Sequence, residues 1–170
     1  FRWVEETAVE LPEFKPVRTT PPAWAIGSPD SKGQVVLTSI NIDPPTQERF
    51  NVKMMTRWQE VEKNEVRYKG YFLDDAEYVV ISYGTAGRIS LSAVRASREQ
   101  GLKIGLVRPI SLSPFPAKVV DELADRVKGF LVVEMSNGQM LDDIISIVAR
   151  RVPVEFYGRM GGMCPDPCPL

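Results

Sequence analysis

The chain has 170 residues, 44% hydrophobic and 25% charged, with a net charge of −1 and a pI near 5.6, enough for one packed core and short for two. Without a basic excess or basic face, neither nucleic acid nor an anionic membrane surface is an expected partner, and apolar runs such as Phe130 to Val133 fall far short of a membrane span. The absence of histidine excludes Ser-His-Asp and Cys-His nucleophiles and any zinc site that relies on imidazole.

Residues 1–34 carry Pro12, Pro16, Pro21, Pro22 and Pro29 with Gly27 and Gly33, and no sustained period, which predicts a linker or arm. Trp3, Phe14 and Trp24 make it too apolar for a free tether, so it is expected to pack along a surface. Residues 35–170 are predicted to form one α/β domain. Val35 to Ile40 is β-prone and ends at Asn41-Ile42-Asp43-Pro44-Pro45, which suits an edge strand followed by a turn. Thr46 is expected to cap a helix running to about Glu62, with Phe50, Met54, Trp58 and Val61 as a packed stripe and Glu48, Arg49, Lys53, Arg57 and Glu60 on the other faces.

The stretch Tyr78 to Gly101, YVVISYGTAGRISLSAVRASREQG, anchors the rest of the chain. Tyr78 to Ser82 does not alternate, as expected of a strand buried on both faces of a parallel sheet. Small and apolar residues then fall at 86, 89, 90, 93 and 97, a helical spacing whose small inner residues allow close approach to the strand. Thr85 is expected to cap this helix, Gly87 to let the backbone come close, and Gly101 to close the helix in the left-handed region. A second strand is predicted at Lys103 to Val107, stopped by Arg108-Pro109. Ser113-Pro114-Phe115-Pro116 opens a helix with Phe115, Val119, Leu123 and Val127 inward. A third strand, Phe130 to Glu134, turns through Met135 to Gln139 into a helix burying Met140, Leu141, Ile144, Ile145 and Val148, with Asp142 and Asp143 near its positive end. Pro153 to Phe156 is the fourth strand. Such alternation predicts a three-layer α/β/α fold with a mainly parallel sheet and right-handed crossovers.

In such a sheet ligands meet the carboxyl ends of the strands where the winding reverses. With the strands ordered 103, 78, 130, 153, the loops there are Gly84-Thr85-Ala86-Gly87 and Glu134-Met135-Ser136-Asn137-Gly138-Gln139. Two helix N-termini and the carboxamides of Asn137 and Gln139 can grip a phosphate, a carboxylate or another protein's loop. The candidate site residues are therefore Gly84, Thr85, Ala86, Gly87, Glu134, Ser136, Asn137, Gly138 and Gln139, none assigned a catalytic role. As a nucleotide signal G-x-x-G is neither the dinucleotide nor the Walker pattern. Glu134 can act as a base in principle, or cap a neighbouring loop, and Asn137-Gly138 also reads as a tight turn. Arg88, Arg95 and Arg98 read as a solvated face or an intersubunit ion-pair surface. Cys164 and Cys168 supply half the ligands of a structural zinc site and half those usual for an iron–sulfur cluster, so they are reduced thiols in a stiff tail, a disulfide, or part of a shared metal site.

At VVISYGTAGRISLSAVRASREQGLKIGLVRPISLSPFP, LVVEMSNGQMLDDI and FYGRMGG the sequence resembles the α subunit of 2-oxoacid:ferredoxin oxidoreductases acting on 2-oxoglutarate, 2-oxoisovalerate or pyruvate. The specific parts are Glu134 to Met140, Tyr157 to Gly162 and Arg108-Pro109-Ile110. The resemblance implies the second domain of that subunit, a fold similar to the C-terminal domain of transketolase. Its antiparallel edge strand would come from Val35 to Ile40 or from the segment near Tyr71. It implies a role in subunit assembly and in shaping the cofactor surroundings. For the whole complex it implies thiamine diphosphate, magnesium, coenzyme A and iron–sulfur clusters. Its implied partners are a thiamine-binding β subunit, a γ subunit, a ferredoxin-like δ subunit and ferredoxin, in a cytoplasmic hetero-oligomer. No cofactor is expected on this chain, which lacks the G-D-G…N diphosphate–magnesium motif and a ferredoxin cysteine pattern. Its start at Phe1 and Pro-rich end predict a piece of a longer polypeptide. The alternative is a self-contained nucleotide- or CoA-binding Rossmann-like module using the 84–87 and 134–139 loops.

Overall fold

Pro44 to Asn64 form the first helix, α1, and a residue preceding it, Asp43, sets its start. Asp43 Oδ2 accepts hydrogen bonds from Thr46 N at 3.0 Å and Thr46 Oγ1 at 2.6 Å, so Asp43 is the cap where Thr46 was expected. Pro44, next in line, tolerates the first helical position because its missing N–H would have no partner there. The computed structural model describes residues 13–14, 21–25, 28 and 38–165. It divides between Arg57 and Trp58, inside α1, into two compact units.

The expected packed stripe of α1 is not packed: the helix has no buried residue, and Met54, Trp58 and Val61 are exposed. Periodicity established that the helix is amphipathic, but of its apolar stripe only Phe50 is half-buried. Of the expected strand Val35 to Ile40, residues 35–37 lie outside the described residues and Thr38 to Ile40 are not a strand.

The sheet contains β1 (Tyr68–Tyr71), β2 (Tyr78–Ser82), β3 (Ile104–Pro109), β4 (Gly129–Glu134) and β5 (Val154–Gly158) in the order β1-β3-β2-β4-β5. The four parallel strands take the expected order, and the antiparallel edge comes from the segment ending at Tyr71, paired Tyr68↔Pro109 to Tyr71↔Leu106. Pro109 ends β3 without breaking the ladder to β2: that pairing stops at Ile81↔Val107, so Arg108 and Pro109 pair with β1 alone. A missing N–H is tolerated at such a margin.

The connecting helices are α2 (Gly84–Glu99), α3 (Ala117–Ala124) and α4 (Gln139–Val148). One face of the sheet carries α3 and α4: Val79, Ile81, Val107, Phe130 and Val132 pack with Val120, Leu123, Met140, Ile144 and Val148, and Phe115 and Val119 join partly buried. Burying each such aliphatic side chain fully contributes about 1.5–3 kcal/mol. Among the described residues the other face carries α2, with Val80, Leu106 and Val133 against Ala86 and Val94. Ile145, expected in the core, is 45% exposed, and Ile147 packs instead. α2 ends as its glycine demands: Gly101 takes φ +89, its N–H donates to Arg98 O at 2.9 Å, and Leu102 N–H donates to Ser97 O at 3.2 Å. That pair of bonds is the Schellman arrangement, which satisfies carbonyls left over at the helix end.

Candidate functional site

The carboxyl ends of β2, β4 and β5 bring three loops to one edge of the sheet. Ser82, the last residue of β2, is fully buried, and its hydroxyl donates to Val133 O at 2.8 Å, tying β2 to β4 just below the loops. The polar residue ending an apolar strand is the sequence signal for this tie. After Ser82 the chain turns through Tyr83, whose φ of −125 is extended, and Gly84, whose φ of +57 favours glycine. Tyr83 occupies the cap position of α2 with no side-chain hydrogen bond, so Thr85, exposed in the first turn, does not cap the helix. Ala86 and Gly87 are buried. A Cβ at Gly87 would lie 2.9 Å from Ser82 O, so glycine is what lets α2 approach the end of its own strand.

The second loop is organised by Glu134. Its side chain is completely buried, Oε2 accepts from Ser136 Oγ at 2.7 Å and Met140 N at 3.2 Å, and Oε1 accepts from Leu141 N at 3.0 Å. A carboxylate thus sits on the N-terminal amides of α4, where the helix dipole favours negative charge. Of the two roles open to Glu134 in the sequence, the geometry has it capping. Gly138 precedes the helix in the left-handed region, φ +95, and Asp142 N donates back to Gly138 O at 3.2 Å. Asn137 and Gln139 are exposed, and Ser136 is half-buried. β5 closes the edge: Arg159 N donates to Glu134 O at 3.0 Å, and a Cβ at Gly158 would lie 2.8 Å from Ser136 O.

The structure therefore brings loops 84–87 and 134–139 out of adjacent strands at the same end, one leading to each face, and adds 158–162 beside the second. What they offer differs. The amides at the start of α4 already hold a carboxylate of this chain, whereas the first turn of α2 has no side-chain cap.

Charged groups away from this edge are mostly structural. Arg98 is not on a solvated face: Nη2 donates to both carboxylate oxygens of Asp75, at 2.7 and 2.9 Å, Nη1 donates to Ile104 O at 3.1 Å, and the guanidinium stacks 5.0 Å from the Phe72 ring centre. Its hydrogen bond holds the Asp75 carboxyl below the usual range. Arg151 ties α3 to α4 by bonding Asp121, Asp125 at 2.7 Å and Ile147 O at 3.1 Å. Cys164 is an exposed free thiol, Cys168 lies outside the described residues, and no group of three or more metal-ligating side chains occurs among the described residues. No helix among them is long and apolar enough to cross a membrane.

Residues 76–168 match the family model for the pyruvate:ferredoxin oxidoreductase core domain II. The chain is 42% identical over 140 residues to the ketoisovalerate oxidoreductase subunit VorB of Methanothermobacter thermautotrophicus, covering 82% of this chain and 40% of that subunit. It is 35% identical over 89 residues to the 2-oxoglutarate synthase subunit KorA of Methanothermobacter marburgensis, covering 52% of this chain and 24% of that one. Its fold is similar to part of the 2-oxoglutarate:ferredoxin oxidoreductase of Magnetococcus marinus solved with 2-oxoglutarate, coenzyme A and succinyl-CoA. The TM-score is 0.66 at 20% identity, over 84% of this chain and 26% of that one. The chain spans about 40% of the length of the VorB subunits it matches.

Proposed function

The chain belongs to the pyruvate:ferredoxin oxidoreductase core domain II family, and from that premise we propose that it works within a cytoplasmic 2-oxoacid:ferredoxin oxidoreductase. In this reading the whole enzyme decarboxylates a 2-oxoacid oxidatively to its acyl-CoA and passes electrons to ferredoxin. This domain serves subunit assembly and shapes the surroundings of the cofactor, supplying no catalytic group itself. The observation that carries the reading is Glu134 on the amides of α4. With those donors filled by the chain's own carboxylate, the 134–139 loop is a finished surface suited to another protein loop, not an anion cradle waiting for a phosphate.

The donor set of this chain does not fit the redox and thiamine machinery. Two cysteines cannot supply the four thiolates usual for an iron–sulfur cluster, and the sequence lacks the G-D-G…N motif that holds thiamine diphosphate and magnesium. Those groups belong, in this proposal, to the remainder of the enzyme: a thiamine-binding β subunit, a γ subunit and a ferredoxin-like δ subunit in a hetero-oligomer.

Thermal-shift and calorimetric titration of the purified chain with thiamine diphosphate plus magnesium, coenzyme A and ATP tests it. A ligand present at 100 times its Kd stabilises the native state by about 2.7 kcal/mol, which such a scan resolves. The expected result is no response to any of the three. A shift with coenzyme A or ATP that disappears on changing the 84–87 loop would overturn the reading in favour of a self-contained ligand-binding module, for which the uncapped first turn of α2 is the available anion site. In the assembled enzyme, Asn137→Ala is expected to weaken subunit association while leaving the chain's own stability unchanged.

A further inference from the structure

Asn137-Gly138 is the only Asn-Gly pair among the four asparagines of the chain, at 41, 51, 64 and 137. Neither reacting group is held by a hydrogen bond among the described residues: Asn137 is exposed and its carboxamide makes none there, and the amide nitrogen of Gly138, a buried residue, donates none there. The nitrogen belongs to a residue with no side chain to hinder its approach, and at φ +95 glycine is the residue the loop requires. Neighbouring donors are engaged: Ser136, Met140 and Leu141 all bond Glu134.

We propose that Asn137 is a site of spontaneous deamidation, a chemical clock on the 134–139 loop that needs no enzyme. The Gly138 nitrogen, giving up its proton, attacks Cγ of Asn137. The N–Cγ bond forms, the Cγ–Nδ2 bond breaks, and ammonia leaves with the proton. Water then opens the five-membered succinimide at one carbonyl or the other, yielding aspartate or isoaspartate, and nothing is oxidised or reduced. Either product puts a second carboxylate three residues from Glu134, beside amides that Glu134 already holds. Isoaspartate also adds a methylene to the main chain between Ser136 and Gly138, lengthening a loop whose two ends are bonded to one carboxylate.

The purified chain, aged at mildly alkaline pH, is mapped by peptide mass spectrometry and by enzymatic methylation of isoaspartyl residues. The expected result is conversion at Asn137 ahead of Asn41, Asn51 and Asn64, at a rate no slower than in the same peptide excised from the chain, with the methyl-acceptor signal lost in Asn137→Ser. An intact Asn137 over a period in which the excised peptide reacts, or equal conversion at the other three asparagines, would overturn the proposal.

Discussion

Replacing Glu134 by glutamine changes one buried oxygen to an NH2 group and removes the charge, leaving the shape of the side chain. In the native structure the two oxygens accept from Leu141 N at 3.0 Å, Met140 N at 3.2 Å and Ser136 Oγ at 2.7 Å. A glutamine keeps one acceptor, so at least one backbone amide of α4 faces a donor. A hydrogen bond to a charged group contributes about 1.5–3 kcal/mol, and an amide left unsatisfied in the interior costs about 1–3 kcal/mol. The lost attraction to the helix dipole adds about 0.3–2 kcal/mol. These effects overlap, and a total of about 2–4 kcal/mol is expected, a large part of the roughly 5–15 kcal/mol that holds a domain folded. With a urea m-value of about 2 kcal/mol/M the unfolding midpoint should fall by roughly 1–2 M at constant slope, followed by far-UV circular dichroism. Alanine should cost more, because it leaves both amides without an acceptor. A glutamine variant with an unchanged midpoint and slope would refute the cap, and with it the argument that α4 has no amides to spare for a ligand.

Gly87→Ala places a methyl 2.9 Å from Ser82 O, a backbone atom that cannot rotate away, so α2 must shift off its strand; a loss of about 1–3 kcal/mol is expected in urea unfolding. Leu131→Ala should cost less than Val132→Ala although it removes more atoms, because Val132 is fully buried under α3 and α4 whereas Leu131 is only half-buried; their unfolding midpoints decide the order. For Glu77 the hydrogen bond from Lys128, and then that lysine's charge, hold the carboxyl below its ordinary value of 4.5, while the same pair raises Lys128 above 10.5. A carboxyl with a depressed folded pKa gives stability that is present above about pH 4.5 and lost as pH falls through the folded value. The raised lysine gives stability present below 10.5 and lost as pH climbs through its folded pKa. Unfolding midpoints measured across both limbs should therefore flatten at each end in Glu77→Gln; wild-type curvature retained in the variant would count against the pair.

The parallel strands were legible because burial on both faces writes itself as unbroken apolar runs. Tyr78–Ser82 has the bounds its composition suggested, and the strand order supposed for the four parallel strands is the one observed. The antiparallel edge was harder to read: Tyr-Lys-Gly-Tyr is four residues long, mostly exposed and polar enough to blunt pairing with another chain, so it carries almost no pattern. Helix starts were legible only to within a residue or two. Thr85 looked like a cap, yet Gly84 at φ +57 moves the cap position to Tyr83. The two candidate loops were visible in the sequence, but not the difference between them, since sequence spacing cannot show that Glu134 folds back over the helix that follows it.

The sheet's unequal faces follow from the same topology. From β2 to β3 the chain steps one way across the sheet, and from β3 to β4 and β4 to β5 it steps the other way. With right-handed crossovers the first step puts α2 on one face and the next two put α3 and α4 on the other. Side-chain alternation agrees, since Val79, Ile81 and Val132 meet α3 and α4 while Val80, Leu106 and Val133 meet α2. The α2 face is thus left open toward β4 and β5, where a groove of about 420 Å³ is lined by Tyr78, Ile104, Leu131 and Glu155. Among the described residues that face carries no second helix, which follows from the order of the strands, as does the gathering of the carboxyl-edge loops between β2 and β4.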